Sequence, residues 1–156
     1  MGLDPSAREA NIRDSVKKFF VDGLHRTDSI PLIFDKGLSS PKVQGTEVDR
    51  WVSVNFGDTK MSEMGYQILN IHCCTKKDPE GFRLAQLRDQ VMDYLVDIDQ
   101  TDSMKRITLY RSRATGTWTN IGALLVDDIM ESKQFETEDE SKYKTLTVRL
   151  RWSAKI

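Results

Sequence analysis

The chain has little cysteine, and its two cysteines are adjacent. Cys73 and Cys74 are neighbours in a chain of 156 residues, so they cannot join distant segments by a disulfide. A reducing compartment would leave both as thiols. We therefore expect that disulfides do not hold this fold.

An excess of charge of one sign is also absent. The chain carries 23 basic and 24 acidic residues, for a formal net charge of -1, which predicts no strong attraction to nucleic-acid phosphates or anionic lipid. No window of about 18 apolar residues occurs, and the start MGLDPSAREAN lacks the apolar core of a signal peptide. We expect a soluble, cytoplasmic protein with no membrane partner.

Motifs for phosphate, metal or nucleophilic chemistry are missing as well. Neither Gly-x-x-x-x-Gly-Lys-Ser/Thr nor Gly-x-Gly-x-x-Gly is present. The run NIHCC offers two ligands on one strand face, His72 and Cys74, whereas a structural zinc requires four. Carboxylates could complete such a site, but no spacing singles any of them out. A Cys-His nucleophile lacks a third, orienting group. We expect no catalytic residue, no metal, no cofactor and no enzymatic activity.

Two segments have the apolar spacing of amphipathic helices. The first starts at Asp4-Pro5, where an N-cap acceptor precedes a proline at the first helical position. It predicts a helix from about Pro5 to Asp22, with Gly23 as its stop. Asp78-Pro79 repeats this opening and predicts a second helix from about Pro79 to Ile98.

Several segments rich in β-branched and aromatic residues predict strands. They are Arg50–Phe56, Tyr66–Lys76, Lys105–Arg111, Gly122–Met130 and Tyr143–Trp152, and the short apolar run Ile30–Phe34 allows one more. The last strand alternates, which predicts that Leu146, Val148, Leu150 and Trp152 face a core. The nine residues Gly57–Gly65 exceed a tight turn and predict a projecting, mobile arm. Within Gly122–Met130, Asp127-Asp128 predicts a strand-end turn or a bulge rather than an ion site.

This order of elements predicts one α+β domain over residues 1–156. A mixed, mostly antiparallel sheet would be covered on one face by two main helices. The strand-helix-strand segment Tyr66–Arg111 also permits one parallel crossover.

The polar segments leave three interpretations of the surface open. Lys76-Lys77, Arg111, Arg113, Arg149 and Arg151 could form a nucleic-acid face, but no aromatic residues are interleaved with them, which favours a solvated face. Trp118, in a loop with two arginines, has a composition typical of protein interfaces, or it fills the core. The acidic stretch Glu136–Glu140 and the pair Arg149 and Arg151 could also meet between identical subunits.

Four segments, in this order, resemble the tail terminator (tail completion) proteins of tailed bacteriophages. They are IRDSVKKFF, RWVSVNFGD, the strand-to-helix unit GYQILNIHCCTKKDPEGFRLAQLRDQVMDYL and the closing strand KTLTVRLRW. The similarity extends from about Ser6 to Trp152. It consists of paired strands before an Asp-Pro turn, a long helix and an alternating C-terminal strand.

The resemblance implies a structural virion protein that assembles as a hexameric ring on the completed tail tube. Such a ring stops tube polymerisation and provides the joining surface for the head connector or neck, with a sheath protein as a further partner in contractile tails. Assembly would take place in the host bacterial cytoplasm. The resemblance also implies an arm that becomes ordered on ring formation or docking. We expect the subunit or tube interface to include Asp58, Lys60, Glu63, Arg111, Arg113, Trp118, Arg149 and Arg151. The alternatives are a tube subunit, a head-tail joining protein, or a small cytoplasmic nucleic-acid-binding domain.

Overall fold

The computed structural model describes residues 9–35, 42–43, 46–47, 49–60, 64–97, 103–104, 106–110, 120–137 and 141–153. The helices are α1 (Glu9–Phe20), a π-helix that continues it (Val21–Thr27) and α2 (Phe82–Leu95). The strands are β1 (Leu32–Phe34), β2 (Lys42–Val43), β3 (Thr46–Glu47), β4 (Arg50–Lys60), β5 (Met64–Thr75), β6 (Val96–Asp97), β7 (Ser103–Met104), β8 (Arg106–Tyr110), β9 (Asn120–Glu131), β10 (Phe135–Glu136) and β11 (Lys142–Ser153).

One mixed sheet forms the centre of the fold. Its strand order is β1-β4-β5-β11-β9-β8, and β10 pairs with the beginning of β11. Within the described residues β1 and β4 are the parallel pair of this sheet, and its other pairs are antiparallel. The predicted α+β fold with a mostly antiparallel sheet is therefore confirmed. The parallel pair lies at the β1 edge rather than across Tyr66–Arg111.

The core lies between one face of this sheet and the two helices. Along β11 the buried residues are Leu146, Val148, Leu150 and Trp152, which confirms the predicted alternation. Apolar residues of α1 and α2 join them in one hydrophobic cluster, namely Ile12, Val16, Phe20, Leu84, Leu87, Val91 and Leu95. Both helices thus bury their apolar stripes against the same layer of side chains.

The first helical segment does not stop at Gly23 as predicted. The chain continues in π-helical form to Thr27, and the N–H of Asp28 bonds to the carbonyl of Gly23. A Cβ on Gly23 would lie 2.5 Å from Cε1 of Tyr94. Glycine is therefore present because the π-helix packs against the Tyr94 ring on α2, and not because the helix ends there.

The second helix begins three residues later than predicted, at Phe82. Gly81 has a left-handed backbone (φ 72°), which delays the helical conformation. Asp78 nevertheless caps the helix, because its carboxylate accepts hydrogen bonds from the backbone N–H of Leu84 at 2.9 Å and of Arg83 at 3.4 Å. At the other end α2 finishes at Leu95, where Val96 becomes extended, so the prediction of a helix to Ile98 was wrong.

The predicted arm Gly57–Gly65 is largely paired strand. β4 extends to Lys60 and β5 begins at Met64, which pairs with Ser153 of β11. Residues 61–63 lie outside the described part of the chain. β4 and β5 stay paired here instead of forming a free loop. A one-residue bulge between Phe56 and Thr59 lets their pairing continue beyond it. The buried amide of Gln67 donates to the carbonyl of Gly57 at 3.0 Å and so satisfies part of the bulged backbone.

Candidate subunit interface

The sheet face opposite the helices carries rows of polar side chains. Where β11, β5 and β4 run side by side, Thr147 lies beside Asn70 and Asn55, and the next row is Thr145, His72 and Ser53. The Thr147 hydroxyl donates to Oδ1 of Asn70 at 3.2 Å, and Nδ1 of His72 lies 2.8 Å from Oγ1 of Thr145. We call these six residues the polar face.

The His72 ring in this face is neutral at pH 7. Burial lowers the pKa of His72 below its ordinary value of 6.5, because a charged imidazolium loses hydration there. Its ring also makes an edge contact with Tyr143, at 6.4 Å between centroids. The polar face is therefore uncharged, with Ser53 buried and its other five residues half-buried.

A basic row lies at one end of the same face. The register places Lys60 and Arg151 on either side of Tyr66, so that the three residues form one row across β4, β5 and β11. Strands lie about 4.8 Å apart, which puts the Lys60 and Arg151 backbones about 10 Å apart. Lys60 and Arg151 are exposed, and so is Asp58 beside the hairpin bulge. The structure thus brings together Asp58, Lys60 and Arg151 from the predicted interface.

Arg149 and Arg151 both pair with an acidic residue of the neighbouring strand. Nε of Arg149 donates to Oδ2 of Asp127 at 2.7 Å, and Nε of Arg151 lies 3.4 Å from Oδ1 of the same carboxylate. The pairing of β9 and β11 shifts by one residue between Arg149 and Leu150, at Asp127-Asp128. The predicted bulge is therefore confirmed. It turns Asp127 toward the two guanidinium groups.

This pairing changes the interpretation of the basic strand. The side chains of Arg149 and Arg151 remain 49% and 60% exposed, but a carboxylate of the same chain partly offsets their charge. On the acidic side, Oε1 of Glu136 lies 3.6 Å from Nζ of Lys142. The predicted contact between subunits would join Glu136 to Arg149 and Arg151. All three residues already have partners of opposite charge within the chain.

The tip of the β4–β5 hairpin is held by a close approach to β11. Gly65 pairs with Trp152, and a Cβ on Gly65 would lie 2.6 Å from Cζ2 of the Trp152 ring and still closer to the carbonyl oxygen of Lys60. Trp152 itself is 3% exposed. Glycine at this position leaves room for the Trp152 indole to pack against the start of β5.

The two cysteines are both buried, on opposite faces of β5. Cys73 belongs to the hydrophobic core, and Cys74 lies between Trp51 and Tyr143 in the neighbouring strands. Burial raises the pKa of each thiol to about 12, so neither is a thiolate at neutral pH. The prediction that they face opposite ways is confirmed, and neither has the low pKa that a nucleophile requires.

Some of the predicted interface residues fall outside the described part of the chain. They are Glu63, Arg111, Arg113 and Trp118.

Two exposed methionines were not predicted from the sequence as surface residues. Met64 at the hairpin tip is 77% exposed, and Met130, beside Thr147, is 66% exposed. Alternation from the buried Leu124 and Val126 would place Met130 on the core face. The one-residue bulge at Asp127-Asp128 shifts this alternation and puts Met130 on the opposite face.

Among the described residues no group of three or more His, Cys, Asp or Glu side chains is arranged to hold a metal ion. The helices of the described chain are also too short and too polar to cross a membrane.

Comparison with known proteins gives similarity of fold. No protein-family model matches the chain, and no curated protein matches it. One solved structure, named only by a sequence identifier, aligns with a TM-score of 0.55 and 11% identity over 96% of each chain. A chain from the virion of a native gene transfer agent particle aligns with a TM-score of 0.49 and 14% identity, covering 92% of this chain and 93% of that one. At these identities the likeness concerns the fold alone.

Proposed function

We propose that this protein is a structural subunit of a bacteriophage tail, a terminator that forms a ring on the end of the tail tube. The sequence resemblance supports this assignment. The observation that carries it is the two-sided sheet, with both helices packed on one face and the polar face and basic row on the other. A subunit with two chemically different sides suits a ring that must bind on one side and stop growth on the other.

The proposed mechanism is capping. One ring face is complementary to the end of the tube, and the opposite face does not template another ring of tube subunits. That opposite face then provides the joining surface for the head connector or neck, and a sheath protein is a further partner where the tail is contractile. The role is structural rather than catalytic, with no cofactor. The protein belongs to the virion, after assembly in the bacterial cytoplasm.

The basic row, Asp58 and Arg149 are the residues we assign to the interface with other subunits or the tube. Lys60 lies at the end of β4 and Arg151 near the end of β11, and the pairing of Gly65 with Trp152 joins the intervening strand β5 to β11. Paired strands beneath these charged side chains favour a specific contact, because little backbone entropy is lost on binding.

Pairing of the arginines disfavours the nucleic-acid alternative. Arg149 and Arg151 share the carboxylate of Asp127, so this surface has less net positive charge than the sequence suggests. Binding to DNA or RNA that falls steeply with added salt would support that alternative over ours.

Native mass across a concentration series, followed by electron microscopy, tests the proposal. We expect discrete rings, with a hexamer as the largest species. A tube subunit, the closest alternative, would instead grow into tubes of indefinite length on its own. Self-polymerisation of the purified protein would therefore overturn the terminator assignment.

A further inference from the structure

A cavity opens between the helices and the edge strand β8. Its volume is about 350 Å³, at the lower end of the range of roughly 300–1,000 Å³ for ligand pockets, which suits one or two side chains. The lining comes from α1, the π-helix, Tyr94 of α2 and β8. Phe19, Tyr94 and Tyr110 supply aromatic walls, and the rings of Phe19 and Tyr94 meet edge to face at 6.2 Å.

Two cations and one carboxylate line the same cavity. Nζ of Lys18 pairs with Oδ2 of Asp22 at 2.6 Å. Arg106 on β8 is exposed, and no ion pair within the described part of the chain involves it. Among the lining residues cations therefore outnumber acids by one, beside an aromatic surface. Asp28, outside the lining, accepts a hydrogen bond from the Tyr94 hydroxyl at 2.8 Å. An occupant with an aromatic ring and an adjacent carboxylate matches this chemistry.

That combination occurs elsewhere in this chain. Phe135 and Glu136 form β10, and Phe135 stacks on Tyr143 at 5.2 Å between ring centroids while remaining 37% exposed. The Glu136 side chain is 55% exposed, and its long contact of 3.6 Å with Nζ of Lys142 involves one oxygen, Oε1, of the carboxylate. The sequence continues with further acids at 138–140, which lie outside the described residues.

The acidic strand and the cavity lie at opposite ends of the sheet. Arg106 is in register with Leu125 and, through it, with Arg151, whereas Phe135 is in register with Tyr143. Eight residues of β11 separate Tyr143 from Arg151, about 27 Å at the usual rise of a strand. One molecule therefore cannot fill its own cavity with this strand, but a second copy can.

We propose that the Phe135-Glu136 strand of one subunit docks in the cavity of the next, with its carboxylate against Arg106 and its ring against the aromatic walls. Such a contact joins two different surfaces, and repeated around an axis it closes a ring when the rotation allows. The inference rests on the proposed function, since it names the contact that builds the ring.

Charge exchange tests this contact. We would measure native mass and sedimentation across a concentration series for the wild type, Arg106→Glu, Glu136→Arg and the double variant. Each single reversal places like charges together and should weaken subunit association at least about ten-fold, whereas the double variant should recover much of the loss. Glu80→Arg, a reversal at another exposed acid, is the matched control and should assemble as the wild type does. Circular dichroism checks that every variant is folded.

Three results would overturn the inference. The first is a wild type that stays monomeric, and the second is normal assembly of the single reversals. The third is a double variant whose loss of association free energy equals the sum of the two single losses. Weaker binding to tube ends with unchanged self-association would mean that the occupant is a tube subunit instead. In the second and third cases wild-type rings would persist, and the proposed terminator function would stand without this contact.

Discussion

Arg149 and Asp127 are joined across neighbouring strands, with Nε of Arg149 donating to Oδ2 of Asp127 at 2.7 Å. The pair depends on the bulge in β9, which turns Asp127 toward β11. Arg151 approaches the same carboxylate at 3.4 Å. The side chain of Asp127 is 18% exposed, less than either arginine. The carboxylate thus orients two guanidinium groups that still face solvent.

Neutralising this pair of arginines should weaken assembly more than folding. For Arg149→Gln with Arg151→Gln we expect a loss of unfolding free energy of about 1 kcal/mol, because exposed ion pairs contribute little. Native mass should shift toward the monomer, since the interface loses two oriented charges. Arg13→Gln is the control, because Arg13 pairs with Glu9 and Asp35 on the helical side. A double variant with wild-type mass would remove these arginines from the interface.

Gly65→Ala should destabilise the hairpin tip. The added methyl would meet the Trp152 ring and the Lys60 carbonyl, and the backbone must shift, at a cost of about 1–3 kcal/mol. Chemical denaturation measures this change. Gly57→Ala is the comparison, because its nearest neighbour would be the flexible Asn70 amide at 3.2 Å, so it should cost less. Equal costs at both sites would contradict the assigned role of Gly65.

Asp78→Ala should destabilise the protein by about 1 kcal/mol at neutral pH, through loss of the cap of α2. Burial alone raises the pKa of Asp78, but hydrogen bonds from the Leu84 and Arg83 backbones and from Thr75 outweigh it, so the pKa lies below its ordinary value. The folded state thus binds the proton less readily than the unfolded state. The stabilisation is present above about pH 4 and is lost as the pH falls through the folded pKa.

Thermal unfolding from pH 2 to 7 checks this sign. The variant should lose less stability than the wild type on acidification, and the difference between them should narrow at the acid end. Glu80→Ala, at an exposed position nearby, should follow the wild-type pH profile. A difference that is constant with pH would mean that the Asp78 carboxylate does not act as the cap.

The fold class was largely predictable, because periodicity indicates which elements form and which face of each is buried. The alternation in β11 and the apolar stripe of α2 each identify a buried face without knowledge of neighbours. The predicted ends of the helices were less accurate, because packing between distant residues determines where a helix ends. Gly23 suggests a helix stop in sequence, but its contact with Tyr94, more than 60 residues away, lets the π-helix continue.

The candidate interface was only partly predictable for the same reason. Asp58, Lys60 and Arg151 could be proposed as exposed charges, but the row that Lys60 and Arg151 share depends on strand register. The ion pair between Arg149 and Asp127 depends on a bulge. The sequence suggested where the bulge lies, but not that it turns the Asp127 side chain toward Arg149. The cavity beside β8 is lined by four separate elements, which no local pattern connects.

Tube length is the most direct measurement of the central claim. Purified protein would be added at increasing ratios to polymerising tail tube subunits, and electron micrographs would give the distribution of tube lengths. A terminator predicts tubes that shorten as the ratio rises, with extra density at one end. Arg13→Gln should behave like the wild type, and Arg149→Gln with Arg151→Gln should leave longer tubes. Tubes of unchanged length with bare ends at every ratio would contradict the account.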